Sequence, residues 1–85
     1  MQVLIPTALR SYTRAPRVEA RGATLSALLA DLERQFPGLR FRMVDEQDRL
    51  RPNMRVFVNG RGTFDLSLPL QPGDDVAIVQ ALSGG

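Results

Sequence analysis

Reactive chemistry in this sequence is concentrated at its end. Leu82-Ser83-Gly84-Gly85 closes the chain, and two glycines before a carboxylate have a specific use. Lacking Cβ atoms, they let the carboxylate thread a channel too narrow for any side chain. They also accept whatever dihedrals an enclosing active site imposes. The competing reading is an ordinary frayed terminus. At average glycine usage a terminal Gly-Gly arises by chance in roughly one chain in 200, so the pair gains meaning only from the body before it.

The other side chains offer little reactivity. There is no Cys, which excludes a disulfide framework and a thiolate metal site, and no His, which removes the commonest general base and metal ligand. Acid/base work would fall to Asp and Glu, and no pair of them sits in a suitable context. Asp45, Glu46 and Asp48 have neither the spacing nor the central Gly of a calcium loop and read as a solvated turn. No enzymatic activity and no bound metal are expected.

All eleven basic residues are Arg, spread from Arg10 to Arg61, and the net charge is only +2. Nucleic-acid binding would call for a basic stripe with interleaved aromatics or a module signature, and neither is present. Without a signal peptide or an apolar run of about 18 residues, a soluble, cytoplasmic chain is expected. Having neither Lys nor Cys, the chain offers its own terminus no side-chain amine or thiol.

Eighty-five residues make one domain, read as a body over 1–81 and a flexible tail over 82–85. Residues 2–10 begin with an apolar, β-branched run and read as a strand. Pro6 within it demands an edge, a bulge or a missing ladder bond. Ser11 to Pro16 reads as a turn, and Arg17 to Arg21 alternates as a half-buried strand that completes a hairpin. Thr24 is a candidate N-cap for the clearest helix. Leu25, Leu28, Leu29, Leu32 and Phe36 share one face of it, Asp31, Glu33, Arg34 and Gln35 fall on the other, and Pro37-Gly38 ends it. Residues 39–53 read as an irregular segment in which Leu39, Phe41 and Met43 alternate. Met54 to Val58 is a strand meeting Asn59-Gly60, a strong hairpin signal, with a short return strand after it. Gln71-Pro72-Gly73-Asp74 turns the chain into a last strand, Asp75 to Leu82, apolar on both faces and therefore suited to the middle of a sheet. The order is that of an α+β fold, with one main helix on one face of a mixed sheet of four or five strands.

That order and the tail together resemble a family. The carrying residues are Ile5-Pro6-Thr7-Ala8-Leu9-Arg10, Ala23-Thr24-Leu25, Val58-Asn59-Gly60, Leu70-Gln71-Pro72-Gly73-Asp74-Asp75-Val76 and Gly84-Gly85. Over its whole length the chain resembles the ubiquitin-like β-grasp sulfur carriers. These include the small subunit of molybdopterin synthase, the thiamine-pathway carrier, and the carrier that supplies sulfur for cysteine synthesis. The first run is most similar to the last of these. Ser83 and Ala81-Leu82 depart from the prolines that some molybdopterin-type members carry before the diglycine.

The resemblance implies a β-grasp fold and a carrier cycle. An E1-like adenylating enzyme, using ATP and Mg²⁺, converts the Gly85 carboxylate to an acyl-adenylate. Sulfur from a persulfide then displaces AMP, and the resulting thiocarboxylate donates sulfur on a second enzyme, such as a PLP-dependent cysteine synthase. No cofactor is bound by the carrier itself. Leu82, Ser83 and Gly84 present the reactive end, and four residues reach at most about 13–14 Å. A ubiquitin-like modifier joined to other proteins through Gly85 would use the same first step.

The body must also dock. If Val56, Val58, Val76 and Ile78 face the helix, then Phe57, Ala77 and Val79 lie on the open face of the sheet, available to partners. The pattern leaves the opposite phase open, with Phe57 in the core. Arg55 and Arg61 read as solvated rim residues.

Overall fold

The computed structural model describes residues 1–81. Helix α2, Leu25–Gln35, is the element against which the sheet closes. Its stripe is buried as the spacing predicts: Leu25, Leu28, Leu29 and Leu32 have no exposed surface, and Phe36, the C-cap, packs partly buried beside them. At about 1.5–3 kcal/mol for each fully buried side chain before entropy is subtracted, these leucines are a large share of the core.

The N-terminal donors of α2 are all used. Thr24 Oγ1 accepts from Ala27 N at 3.2 Å, while Leu25 N and Ser26 N donate to the carbonyls of Leu68 and Leu66 at 3.0 and 2.8 Å. A helix start leaves such groups orphaned. Here the segment before the last turn is drawn across the helix start to satisfy them, with a β-bridge between Thr24 and Pro69.

Five strands form one sheet among the described residues: β1 Gln2–Leu4, β2 Arg17–Glu19, β3 Met54–Val58, β4 Arg61–Thr63 and β5 Asp75–Gln80, in the order β2-β1-β5-β3-β4. β1 runs parallel to β5, with Val3 beside Val76, and the other pairs are antiparallel. The last strand is central and beside the first, as its apolar composition requires. Asn59 and Gly60 both take positive φ, 51° and 83°, the geometry of a type I′ hairpin turn.

Several expectations are corrected. The first strand stops at Leu4. Ile5 still donates to the Pro16 carbonyl at 2.8 Å, but Pro6 has no N–H with which to continue the ladder. The chain instead enters a 3₁₀ turn, Thr7–Leu9, and one turn of helix α1, Arg10–Thr13, which together replace the rest of the expected strand and most of the expected turn. Leu39–Met43 is helix α3, not irregular chain. Leu39 and Met43 are buried and Phe41 is 56% exposed. Over five residues, strand alternation and helical i, i+4 spacing coincide at the two ends, so the pattern could not separate them.

Asp31, placed on the solvated face by periodicity, is buried at 7% exposure. Its carboxylate pairs with Arg34 and accepts from Arg21 N at 3.1 Å and Gln35 Nε2 at 3.0 Å. It ties the segment after β2 to the back of α2.

Gly22 marks where that segment touches the helix. A Cβ there would lie 2.4 Å from the backbone nitrogen of Leu28, and backbone cannot swing aside as a flexible side chain can. We expect Gly22→Ala to destabilise the fold by about 1–3 kcal/mol, the usual cost of overpacking. Urea unfolding would read this as a lower midpoint at unchanged slope.

Candidate functional site

The site begins where the described chain ends. β5 finishes at Gln80, and Ala81 N donates to the Asn53 carbonyl at 2.7 Å, the last backbone tie before the terminal residues. Leu82, Ser83, Gly84 and Gly85 lie outside the described residues. Because β1 is parallel to β5, its end is at the same pole. Ile5, Pro6, Thr7 and Ala8 therefore stand beside Ala81, and Arg10 Nε donates to the Ile5 carbonyl at 2.9 Å, bracing this corner. β3 runs the other way, so its start, at Asn53 and Met54, completes the surround. Sequence reasoning passed over Asn53 and the 3₁₀ turn as site residues. The usable signal was Pro52-Asn53, a turn placed just before a strand antiparallel to the last one.

The open face of the sheet is also fixed. Val56, Val58, Val76 and Ile78 are buried toward the helix. Phe57 and Ala77 are half-buried and paired in register, and Val79, 40% exposed, pairs with Arg55. The strand phase is therefore the one that puts Phe57, Ala77 and Val79 together on the face away from α2. Phe57 lies between two small neighbours, Ala77 and Gly62, and a Cβ at Gly62 would just touch its ring at 3.4 Å. Leu4 joins the same cross-strand row through its pairing with Ala77. The guanidinium of Arg55 sits 5.4 Å from the centre of the exposed Phe64 ring.

The opposite pole holds the turn motifs. Asn59 Nδ2 donates to Asp74 Oδ1 at 2.9 Å, and Asn59 Oδ1 accepts from Asp75 N at 2.9 Å. Asn59 N donates to the Asp75 carbonyl, while Asp74 Oδ2 accepts from Gln71 N at 2.8 Å. These bonds lock the β3–β4 turn to the start of β5. They are structural, at the other end of the strand from the terminal residues. Asp45, in the acidic turn, spends one oxygen on the backbone N–H groups of Gln47 and Arg49, at 2.9 and 3.0 Å. Among the described residues no group of acidic side chains is arranged to hold a metal, and no helix is long and apolar enough to cross a membrane.

A mixed five-stranded sheet closed on one long helix, with its first and last strands parallel at the centre, defines a ubiquitin-like β-grasp domain. The chain belongs to the ThiS family, whose model matches residues 3–85. It is 35% identical to the sulfur carrier protein CysO of Mycobacterium tuberculosis, a similarity that covers 98% of this chain and 96% of that protein. Among solved structures it superposes on CysO in the Amycolatopsis orientalis BexX/CysO complex with a TM-score of 0.90 at 34% identity, covering 99% of this chain and 98% of that one. It superposes on the small archaeal modifier protein 1 of Haloferax volcanii with a TM-score of 0.80 at 26% identity, covering 100% and 98%.

The clamp at the turn pole makes a pH prediction. The N–H of Gln71, then the side chain of Asn59, hold the Asp74 carboxyl below its ordinary value. A carboxyl lowered by folding stabilises the fold above its unfolded pKa of about 4, and that contribution disappears as the pH falls through the lower folded value. Melting temperature should therefore fall on acidification below about pH 4, and Asp74→Asn should flatten part of that slope. Thermal melts across pH 2–7 of both proteins would check it, and parallel curves would contradict it.

Proposed function

We propose that this protein is a sulfur carrier that acts through the carboxylate of Gly85. The observation that carries the reading is the extent of the family match, which runs to residue 85 and so includes the diglycine. A full-length likeness to proteins named as sulfur carriers supports it. So does the placement of Ala81 at an open surface pole rather than inside the body.

The chemistry needs an activated carboxylate, because hydroxide is a poor leaving group for sulfur to displace. An E1-like enzyme supplies ATP: the carboxylate attacks the α-phosphorus, pyrophosphate leaves, and an acyl-adenylate forms. Hydrosulfide attacks the carbonyl and AMP departs to leave the thiocarboxylate directly. A persulfide attacking instead leaves an acyl disulfide, from which a second thiol, by forming a disulfide with the donor's sulfur, releases the same thiocarboxylate. That species donates sulfur on a second enzyme. The body contributes no catalytic group. It acts as a co-substrate, with residues 82–85 as the inserted tail and the row of Phe57, Ala77 and Val79 as the face that docks. Cysteine synthesis is the pathway favoured by the likeness to CysO, with the sulfur-accepting synthase as the second partner and the cytoplasm as the place of work. The solved CysO complex with BexX shows that a relative on this fold engages another protein.

Likeness to a small archaeal modifier protein favours one second reading, conjugation through Gly85 to amines of other proteins. Both readings require adenylation, and they part at the acceptor.

Intact protein incubated with the activating enzyme, ATP and a sulfur donor should gain the mass of one oxygen-to-sulfur exchange at its terminus, read by mass spectrometry. Deleting Gly85 should abolish it. Failure of loading with every sulfur donor, alongside covalent adducts on other proteins, would move the assignment to the modifier. For the docking face, Val79→Asp should raise the KM for the carrier in the loading reaction about tenfold, near 1.4 kcal/mol, with kcat little changed. An unchanged KM would remove Val79 from the interface.

A further inference from the structure

Two recesses meet at the pole where β5 ends. One, about 460 Å³, is walled by apolar groups including Leu4, Pro6, Ile78 and Ala81, and Arg10 also lines it. The second, about 330 Å³, is lined by Phe41, Arg42 and Arg51. Ala8, Asn53 and Gln80 line both, so the two adjoin. Among the described residues their combined lining holds three arginines and no carboxylate.

Two of these arginines, Arg10 and Arg51, are tied to backbone carbonyls. Among the described residues the side-chain ion pairs use Arg34, Arg40 and Arg49. Arg10 and Arg51 instead donate through Nε to backbone carbonyls, of Ile5 at 2.9 Å and Phe41 at 2.8 Å. Such bonds fix a guanidinium in place without neutralising it, and the Asp45 carboxylate, already bonded to the N–H groups of Gln47 and Arg49, is near enough to Arg51 to feel its charge. Arg51 also lies 4.7 Å from the centre of the Phe41 ring, which holds an exposed aromatic against a fixed charge. Arg42, on α3, is exposed. Asp75, the first residue of β5, and Asp74 just before it belong to the other pole.

We infer that this pole is a docking surface for an acidic segment of the protein that receives the tail, with carboxylates meeting Arg42 and Arg51 and a neighbouring apolar side chain entering the adjoining recess. The inference rests on the carrier reading for the identity of the partner. Charge complementarity selects the occupant: a partner presenting Asp or Glu beside an apolar residue satisfies both recesses at once, and a basic or purely apolar one leaves the arginines buried and unpaired. Arginine suits the task because its planar fork binds carboxylates in two-point fashion and stacks on aromatic rings.

The test titrates the isotope-labelled full chain with the peptide acetyl-Glu-Leu-Glu-Leu-Glu-amide and follows backbone amide shifts by NMR. Ala8, Asn53 and Gln80 should shift, and the shifts should shrink as salt is added. The lysine counterpart of the peptide should leave them still. Arg42→Glu with Arg51→Glu should raise the apparent Kd at least about tenfold. Arg42→Glu alone, at an exposed position, should raise it several-fold and guards against a folding effect of the pair. Arg61→Glu, beside the Asn59-Gly60 turn at the far pole, should leave the Kd unchanged. Absence of shifts at the pole, equal shifts with the lysine peptide, or equal loss in Arg61→Glu would overturn the inference. A recess filled by this chain's own terminus would block the peptide and give the first of those results. Sulfur loading of the same wild-type sample separates the two claims: loading without peptide shifts overturns the docking surface alone, and shifts without loading overturn the carrier reading alone.

Discussion

The parallel pairing of β1 with β5 is the constraint on which the rest of the structure depends. Parallel neighbours cannot be joined by a tight turn, so the chain between them must cross over. Here that crossover contains the hairpin partner β2, helix α2 and the β3–β4 pair, and the long helix covers the face that the two central strands share. The direction of pairing also decides the position of the chemistry. With both strands running the same way, the end of β5 emerges beside Ile5 and Pro6. An antiparallel pairing would have placed Ala81 next to the start of β1 instead, where Met1 is held by Glu19 and by the Ala20 carbonyl at 2.8 Å.

The residues that most readily mark the family are mainly those that build this frame. Thr24 caps the helix, Asn59 and Gly60 make the turn, and Asp74 seals that turn to the start of β5. None of them lies at the pole of the terminus. Ile5 to Arg10 is the exception, since the same run that ends β1 also walls the root of the tail. A motif can thus be specific to a family because it fixes topology, and in the proposed carrier role the reactive group comes from two residues that have no side chain at all.

Much of the frame is legible in the sequence. Four leucines at helical spacing, a Pro-Gly stop and an Asn-Gly turn each carry a strong local signal, and an all-apolar last strand announced its central place. The errors have separate physical causes. Strand propensity over residues 2–10 lost to a single missing N–H at Pro6. Helix α3 is too short to show a period of its own and is held by burying Leu39 and Met43. Asp31 sits where periodicity predicts solvent, and the chain after β2 folds over it and supplies its partners. The recess at the root of the tail was equally hidden, because it is made of segments around residues 5, 53 and 81 that only the sheet order brings together.

In the proposed carrier role this division of labour has a consequence for selectivity. A diglycine presents backbone alone, so an enclosing channel reads its narrowness and little else. Any carrier ending in the same pair would enter equally well. Discrimination must then come from the body, and the groups within reach of the root are the row of Leu4, Ala77 and Phe57 across the open face and the arginine-lined pole next to it. Specificity is a difference between affinities for right and wrong partners, and charge is the cheapest way to create one, since a like-charged surface is repelled as strongly as a complementary one is drawn in. A fold that lines that pole with arginines, two of them anchored through their Nε atoms, therefore places recognition next to a terminus too featureless to supply its own.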